Sequence, residues 1–165
     1  MKHEIITIFQ ALTGVHEKFN ENALEKQDAV KKGDMPALEN VMKEETVLIQ
    51  QLRKLENTRE HVVNAWMIDK GFVKEDVTMD KLLQFFPEEE RQELLLWQQR
   101  LVSEIEKLKH QNELNRKLLE ESLRFVNISL DAMYPRGEYE NYQRPTSHKV
   151  QDVGMEGKSL FDSKA

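Results

Sequence analysis

The chain has 165 residues and is acidic, with 30 Asp and Glu residues against 24 Lys and Arg residues. This balance argues against a nucleic-acid partner, because duplex binding requires a positive surface that displaces counterions from the phosphates. There is no cysteine, which excludes a disulfide framework, a thiol nucleophile and a thiolate metal site. Charged residues make up 33% of the chain, with only 6 glycines and 4 prolines, a composition typical of long solvated helices.

The sequence contains no apolar run that approaches the length of a membrane span, which takes about 18 residues. Near the N-terminus, the apolar stretch Ile5–Phe9 is interrupted by Gln10 and Gly14. A secretory signal has a more continuous apolar region. We therefore expect a cytoplasmic protein that does not insert into membranes.

Apolar residues spaced three and four apart predict a first helix over residues 3–32. They form one stripe, made of Ile5, Ile8, Phe9, Leu12, Val15, Phe19, Ala23 and Val30. Gly33 follows this stripe and ends the helix, because glycine readily adopts the left-handed conformation of a helix C-terminus.

A second helix is predicted over residues 35–69. Asp34 stands where an N-cap is needed, and Pro36 is tolerated in the first turn. If the two helices pack antiparallel, Lys26 lies level with Glu45, which predicts an ion pair between them. Arg59 also lies in the second stripe, and the sequence indicates no partner for it.

The connector over residues 71–87 contains a short helix, predicted at about residues 79–86 and capped by Thr78 or Asp80. Its residues Leu82, Phe85 and Phe86 are large and apolar. Because a free linker would not be so apolar, we expect them to plug one end of a helical bundle.

The longest helix is predicted over residues 88–133, a run without proline or glycine that opens with three glutamates. Its stripe contains Asn112 and Asn115 where leucine would be ordinary. The rest of the stripe is Leu94, Leu101, Ile105, Leu108, Leu119, Ser122, Val126, Ser129 and Met133.

These elements predict an all-α fold, an antiparallel up–down–up bundle of three long helices with a short connector helix, over residues 1–133. Residues 134–165 are predicted to form a flexible tail, because five prolines and glycines break every periodicity there.

No pattern in the chain predicts chemistry. The five histidines are scattered, and neither the H-E-x-x-H zinc arrangement nor the Glu-x-x-His motif of di-iron bundles occurs. A nucleophile elbow and a phosphate-binding glycine loop are also missing from the sequence. We expect no enzyme activity, catalytic residue, cofactor or bound metal.

Two readings of Asn112 and Asn115 remain open. They form a polar layer that fixes helix register, as a seam asparagine does in coiled coils, or they contact a bound helix or peptide. The apolar residues that follow cover more than one face of the helix, and they either close the end of the bundle or form a binding strip. We name as candidate binding residues Asn112, Asn115, Leu118, Leu119, Leu123, Phe125 and Val126.

The predicted tail offers weaker candidates for docking. Tyr139 and Tyr142 lie near its start, and Leu160 and Phe161 stand near its end in an otherwise polar stretch. They are either remnants of a solvated linker or aromatic and apolar anchors that become ordered on binding.

Several motifs, in their order and spacing, resemble the FlgN-type flagellar export chaperones. They are the turn Lys31-Lys-Gly-Asp34, the pattern Asn112-x-x-Asn115-x-x-Leu118-Leu119, the run Phe125-Val-Asn-Ile-Ser129, and the closing Leu160-Phe-Asp-Ser-Lys-Ala165. The last is similar to members from Bacillus-like bacteria.

The resemblance implies a cytoplasmic, non-enzymatic chaperone. Such proteins bind the hook–filament junction proteins, prevent their aggregation and deliver them to the flagellar type III export gate. It also implies that Asn112, Asn115, Leu118 and Leu119 take part in client binding. The alternative is a structural or regulatory bundle that self-associates as a homodimer and has no export client.

Overall fold

The computed structural model describes residues 2–72 and 78–134. Within these ranges the protein is all-helical, as predicted, and contains no strand. The helices are α1 (Lys2–Lys32), α2 (Met35–Asp69), α3 (Met79–Leu83) and α4 (Glu88–Met133). The chain divides into two compact units, Met1–Leu123 and Arg124–Ala165.

The turn between α1 and α2 forms as its residues predict. Gly33 has a φ of +66°, a left-handed conformation that costs glycine little. Asp34 caps α2, because its side-chain oxygen accepts a 3.0 Å hydrogen bond from the backbone N–H of Ala37. Pro36 lies in the first turn of α2, where its missing N–H is not needed.

One end of the first unit is closed by an apolar cluster from all four helices and the connector. Its buried members are Ile5, Ile6, Trp66, Met67, Leu82, Leu83, Phe86 and Leu94. The predicted plug is therefore confirmed for Leu82 and Phe86. Phe85 is 45% exposed, but its ring packs edge-on against Trp66 and Phe72, with ring centroids 5.4 and 5.2 Å apart.

The short helix α3 is capped by Thr78, not Asp80, and ends at Leu83 instead of residue 86. After Leu83 the backbone forms tight turns, because the N–H groups of Phe85 and Phe86 donate to the carbonyls of Leu82 and Leu83, three residues earlier. This tight turn directs Phe86 into the core just before Pro87.

A second apolar cluster joins Val15 and Phe19 of α1 to Leu48 of α2, with Leu108 of α4 packed against it. Near it lies the predicted ion pair, which the structure confirms. Lys26 Nζ is 2.5 Å from Glu45 Oε2, and both side chains are less than a third exposed. Arg59, for which the sequence indicates no partner, pairs with Glu56 on its own helix at 2.8 Å.

The inward face of α4 differs from the predicted stripe. Leu94 and Leu108 lie inward as expected, but Ile105 and Leu119 are exposed. The positions one residue earlier turn inward instead, and these are Glu104, Gln111 and Leu118. The predicted stripe is therefore wrong by one residue in every second turn. Glu104 and Gln111 lie inward because their side chains form hydrogen bonds inside the bundle. A pattern of apolar residues does not reveal such bonds.

Candidate functional site

Asn115 links α4 to α1. Its side chain is 3% exposed, and Nδ2 donates a 2.8 Å hydrogen bond to the backbone carbonyl of Ala23. Its Oδ1 accepts a 3.0 Å hydrogen bond from Nε2 of Gln111, one turn earlier. Because both polar atoms are engaged within the protein, this amide fixes the axial position of α4 against α1, the role of a seam asparagine.

Asn112 lies on the solvated side of α4, so the predicted pairing of the two amides in one seam is wrong. Beside it runs a charged row in which Arg116 pairs with Glu113 at 2.8 Å and with Glu120 at 2.7 Å. The hydrogen bond from Arg116 holds the pKa of the Glu113 carboxyl below its ordinary value. Asn112 is therefore available to a partner, next to a row of fixed charges.

In the first unit, the candidate leucines become more exposed along α4. Leu118 is half-buried, Leu119 is 37% exposed and Leu123 is 64% exposed. Burying a leucine side chain stabilises a complex by about 1.5–3 kcal/mol relative to leaving it in water. Leu119 and Leu123 thus present apolar surface to solvent within the first unit.

In the second unit, the last turns of α4 also present apolar side chains to solvent. Phe125 is 71% exposed and Val126 is 49% exposed. Ile128 and Met133 are exposed by 60% and 72%. Contiguous exposed apolar side chains on this scale are typical of interaction surfaces.

Two further amide links were not identified from the sequence. Asn20 of α1 donates to the backbone carbonyl of Glu104 at 3.0 Å and to its carboxylate at 2.8 Å. Asn22, two residues later, is buried and donates to the carbonyl of Val41 in α2 at 2.9 Å. Asparagine is a weak helix former, so the presence of Asn20 and Asn22 inside a long helix was the available signal.

The Glu104 carboxyl of α4 is held in its charged form by neighbouring hydrogen-bond donors. The hydrogen bond from Lys107 lowers its pKa, and the hydrogen bond from Asn20 acts in the same direction. Its side chain is 16% exposed. The group is a structural link, since its partners are a lysine and an amide of the protein itself.

Over residues 2–72 and 78–134, the structure contains no group of three His, Cys, Asp or Glu side chains placed to hold a metal ion. In the same ranges, no helix is long and apolar enough to cross a membrane. His16 is buried, and its Nδ1 lies 2.8 Å from the carbonyl oxygen of Leu12. The predicted tail anchors Tyr139, Tyr142, Leu160 and Phe161 lie outside the described residues.

The fold and the candidate surface define an all-helical protein whose longest helix ends in exposed apolar side chains. Comparison with known proteins identifies its class. The FlgN protein family matches residues 1–149, and the chain belongs to this family. Membership implies a role as a flagellar export chaperone, and the family is one of chaperones rather than enzymes.

A curated relative agrees with this assignment. The Bacillus subtilis (strain 168) protein YvyG is 30% identical over 161 residues, which cover 98% of this chain and 97% of the relative. No solved structure matches the chain. The resemblance to FlgN-type proteins from Bacillus-like bacteria is thereby confirmed.

Proposed function

We propose that this protein is a cytoplasmic chaperone that binds hook–filament junction proteins, prevents their premature aggregation and delivers them to the flagellar export apparatus. One observation carries the proposal. Within the first unit α4 exposes Leu119 and Leu123, by 37% and 64%, and within the second unit it exposes Phe125 and Val126, by 71% and 49%. These four residues are called the distal face of α4.

The spacing along the distal face suits a partner helix. Leu119, Leu123 and Val126 are separated by four and three residues, and Leu130 and Met133 continue the same alternation. This is the spacing of a seam that packs knobs into holes against another helix. A client's amphipathic helix would bury its own apolar stripe there, which would mask the stripe from aggregation.

The two asparagines take different parts in this proposal. Asn115 positions α4 through its bond to Ala23, whereas Asn112 is exposed and is free to bond a client. Leu118 is half-buried and directly precedes the distal face in the chain. The binding surface therefore depends on Asn115 without including it in the contact.

The order of the contacts supports an up–down–up arrangement of the three long helices. Asn20 of α1 bonds to Glu104 of α4, and Ala23, further along α1, bonds to Asn115, further along α4. The two helices therefore run in the same direction. Contacts with α2 run in the opposite order, since Ile5 shares a cluster with Trp66 whereas Lys26 pairs with Glu45. We propose that α1 and α2 form an antiparallel hairpin, that α4 packs against it parallel to α1, and that this bundle supports the distal face.

The predicted tail, residues 134–165, is proposed to contact the export gate or the client. Tyr139, Tyr142, Leu160 and Phe161 are the anchors that the sequence offers. Limited proteolysis of the full chain, with and without client, tests this proposal. Protection of cleavage sites beyond residue 134 is expected only in the complex, and an unchanged cleavage pattern contradicts it.

Co-purification with hook–filament junction proteins tests the main proposal. A variant with Leu119→Asp and Phe125→Asp should lose binding while it keeps its helical content. A matched variant with Met42→Asp and Ile49→Asp changes two side chains of α2 that are 54% and 39% exposed, and it should bind normally. Full-strength binding by the first variant in a folded protein would show that the distal face is not the site.

The alternative is a structural or regulatory bundle that self-associates without an export client. The spacing of Leu119, Leu123 and Val126 favours it as well, because a second copy of α4 fits such a seam. Sedimentation of the purified protein separates the two functions. A tight dimer that the Leu119→Asp, Phe125→Asp variant dissociates supports self-association, whereas a monomer leaves the distal face open for a client.

A further inference from the structure

A second surface of the first unit lies between α1 and α2, on the side away from α4. Two adjoining cavities of about 460 and 360 Å³ open there, and they share Glu25 as a lining residue. No residue of α4 lines either cavity. We call this surface the α1–α2 groove, defined by Lys18, Glu21, Glu25, Ala29, Val41 and Val47.

The groove faces away from α4 because of helix geometry. Lys18 lines the groove, whereas Asn20 bonds to Glu104 of α4. Two residues along an α-helix are about 200° apart around its axis, so these side chains project from opposite sides of α1. Among residues 2–72 and 78–134, no helix lies over this side of the hairpin.

The dimensions of the groove fit a helix. Its lining runs along α1 from Lys18 to Lys32, which corresponds to about 21 Å at ~1.5 Å per residue, or four turns. The floor is formed by small and β-branched side chains, including Ala29, Ala37 and Val41, over which another helix can approach closely. Val47 contributes an apolar side chain that is 52% exposed.

The charge of the residues that line the groove indicates which kind of partner helix it would bind. The lining contains five carboxylates and two ammonium groups. Asp28 is paired with Lys32, but Glu21, Glu25 and Glu44 are exposed and have no ion pair among the described residues. Acidic residues beside an apolar floor complement a helix that carries an apolar stripe flanked by Lys or Arg.

Two other occupants fit this charge poorly. A symmetric dimer through the groove would bring the same acidic side chains against each other, because a two-fold interface pairs each patch with itself. The chain beyond residue 134 carries five acidic and five basic residues, so it offers no positive surplus. The occupant whose charge complements the groove is therefore a basic helix from another protein.

We propose that the α1–α2 groove is a second binding site, which takes a basic amphipathic helix of a partner protein. It is separate from the distal face of α4 and does not depend on the function proposed for that face. A protein with both surfaces would hold two partners at once. The α1–α2 groove would recognise one partner by charge, and the distal face of α4 would recognise the other by apolar packing.

The test uses the full chain and a synthetic helix of about 18 residues, long enough to fill the groove. The peptide carries an Ala and Leu stripe flanked by lysines. Its controls are a scrambled peptide of the same composition and a version with Glu in place of Lys. Fluorescence anisotropy at physiological ionic strength should show at least about tenfold tighter binding of the basic amphipathic peptide than of either control.

Protein variants locate the binding. Glu21→Lys with Glu44→Lys should weaken it about tenfold, as should Val47→Asp, which removes apolar contact. The matched variant Glu93→Lys with Glu106→Lys has the same net charge but alters exposed residues of α4. Its affinity should stay within about twofold of the parent protein, because distant exposed charges are screened by salt.

Several results would overturn the proposal. Equal binding of the scrambled peptide, or equal weakening by the α4 charge variant, would mean that only net charge attracts the peptide. A dimer in sedimentation that Glu21→Lys with Glu44→Lys dissociates would identify a second copy as the occupant. A chain ending at Tyr134 that binds the peptide about tenfold more tightly would identify the protein's own C-terminal residues instead.

Substitutions in one binding site should leave binding at the other site unchanged. Leu119→Asp with Phe125→Asp should leave peptide binding unchanged, and Glu21→Lys with Glu44→Lys should leave binding of junction proteins unchanged. Loss of both activities in either variant, with helical content retained, would contradict the separation of the surfaces.

Discussion

Replacing Asn115 tests whether its side chain ties α4 to α1. In Asn115→Ala, the hydrogen bond to the Ala23 carbonyl is lost, which costs about 1 kcal/mol. The side chain is 3% exposed, so truncation also removes packing that the bundle cannot fully recover, for about another 1 kcal/mol. We expect the free energy of unfolding to fall by about 2 kcal/mol in total.

A leucine at the same position separates polar from packing effects. In Asn115→Leu the hydrogen bond is lost, but the Ala23 carbonyl still accepts its ordinary bond within α1 and is not left unpaired. The buried leucine supplies about 1.5–3 kcal/mol of apolar transfer energy. The stability of Asn115→Leu should therefore equal or exceed that of the parent protein.

Urea unfolding followed by far-ultraviolet circular dichroism measures these changes. Asn112→Ala is the matched control, because this asparagine is exposed on the same helix. It should leave stability unchanged or raise it by about 0.5 kcal/mol through better helix propensity. If Asn115→Ala were as stable as Asn112→Ala, the side chain of Asn115 would contribute nothing to holding α4 against α1.

Three further predictions follow from the first unit. In a double-mutant cycle, Lys26→Met and Glu45→Gln should show a coupling energy of about 1 kcal/mol, because the pair is largely shielded from solvent. Phe86→Ala should cost about 3–4 kcal/mol, since the ring is 3% exposed in the end cluster. Lys107 lowers the pKa of Glu104, so the stabilisation from this carboxylate is complete above the ordinary glutamate pKa and is lost as the pH falls through the lowered one. Glu104→Gln should therefore flatten the fall in stability between about pH 6 and pH 3.

Each of these predictions has a control on the same protein. The exposed pair of Lys43 and Glu39 should couple by no more than about 0.5 kcal/mol. Phe85→Ala should cost clearly less than Phe86→Ala, because Phe85 is 45% exposed. Glu106 is exposed on α4, and Glu106→Gln should leave the pH dependence unchanged. A result in which control and test variants behave alike would contradict the corresponding contact.

The end of α1 and the starts of α2 and α3 could be predicted from the sequence because single residues determine them. Gly33 supplies the left-handed residue after α1, and Asp34 and Thr78 supply the caps of the next two helices. Such signals are local, so they need no knowledge of tertiary packing. The ion pair of Lys26 and Glu45 was also predictable, since the turn fixes how the hairpin pairs its residues.

The inward face of α4 could not be predicted in the same way. Ile105 and Glu104 are equally compatible with helical spacing, and hydropathy favours the isoleucine. The structure instead turns Glu104 inward, because Asn20 on α1 provides its hydrogen-bond donor. Asn112 and Asn115 could not be told apart for the same reason, since only Asn115 lies level with a carbonyl of α1. Polar contacts between helices depend on register, which a single stripe does not specify.

Hydrogen–deuterium exchange of the full chain, with and without a hook–filament junction protein, shows whether the distal face of α4 binds the client. We expect slower exchange in the complex at residues 118–134, where Leu119, Leu123, Phe125 and Val126 are exposed in the free protein. Exchange around Met42 and Ile49 should be unchanged. Slower exchange confined to the α1–α2 hairpin, with residues 118–134 unaffected, would contradict client binding at the distal face.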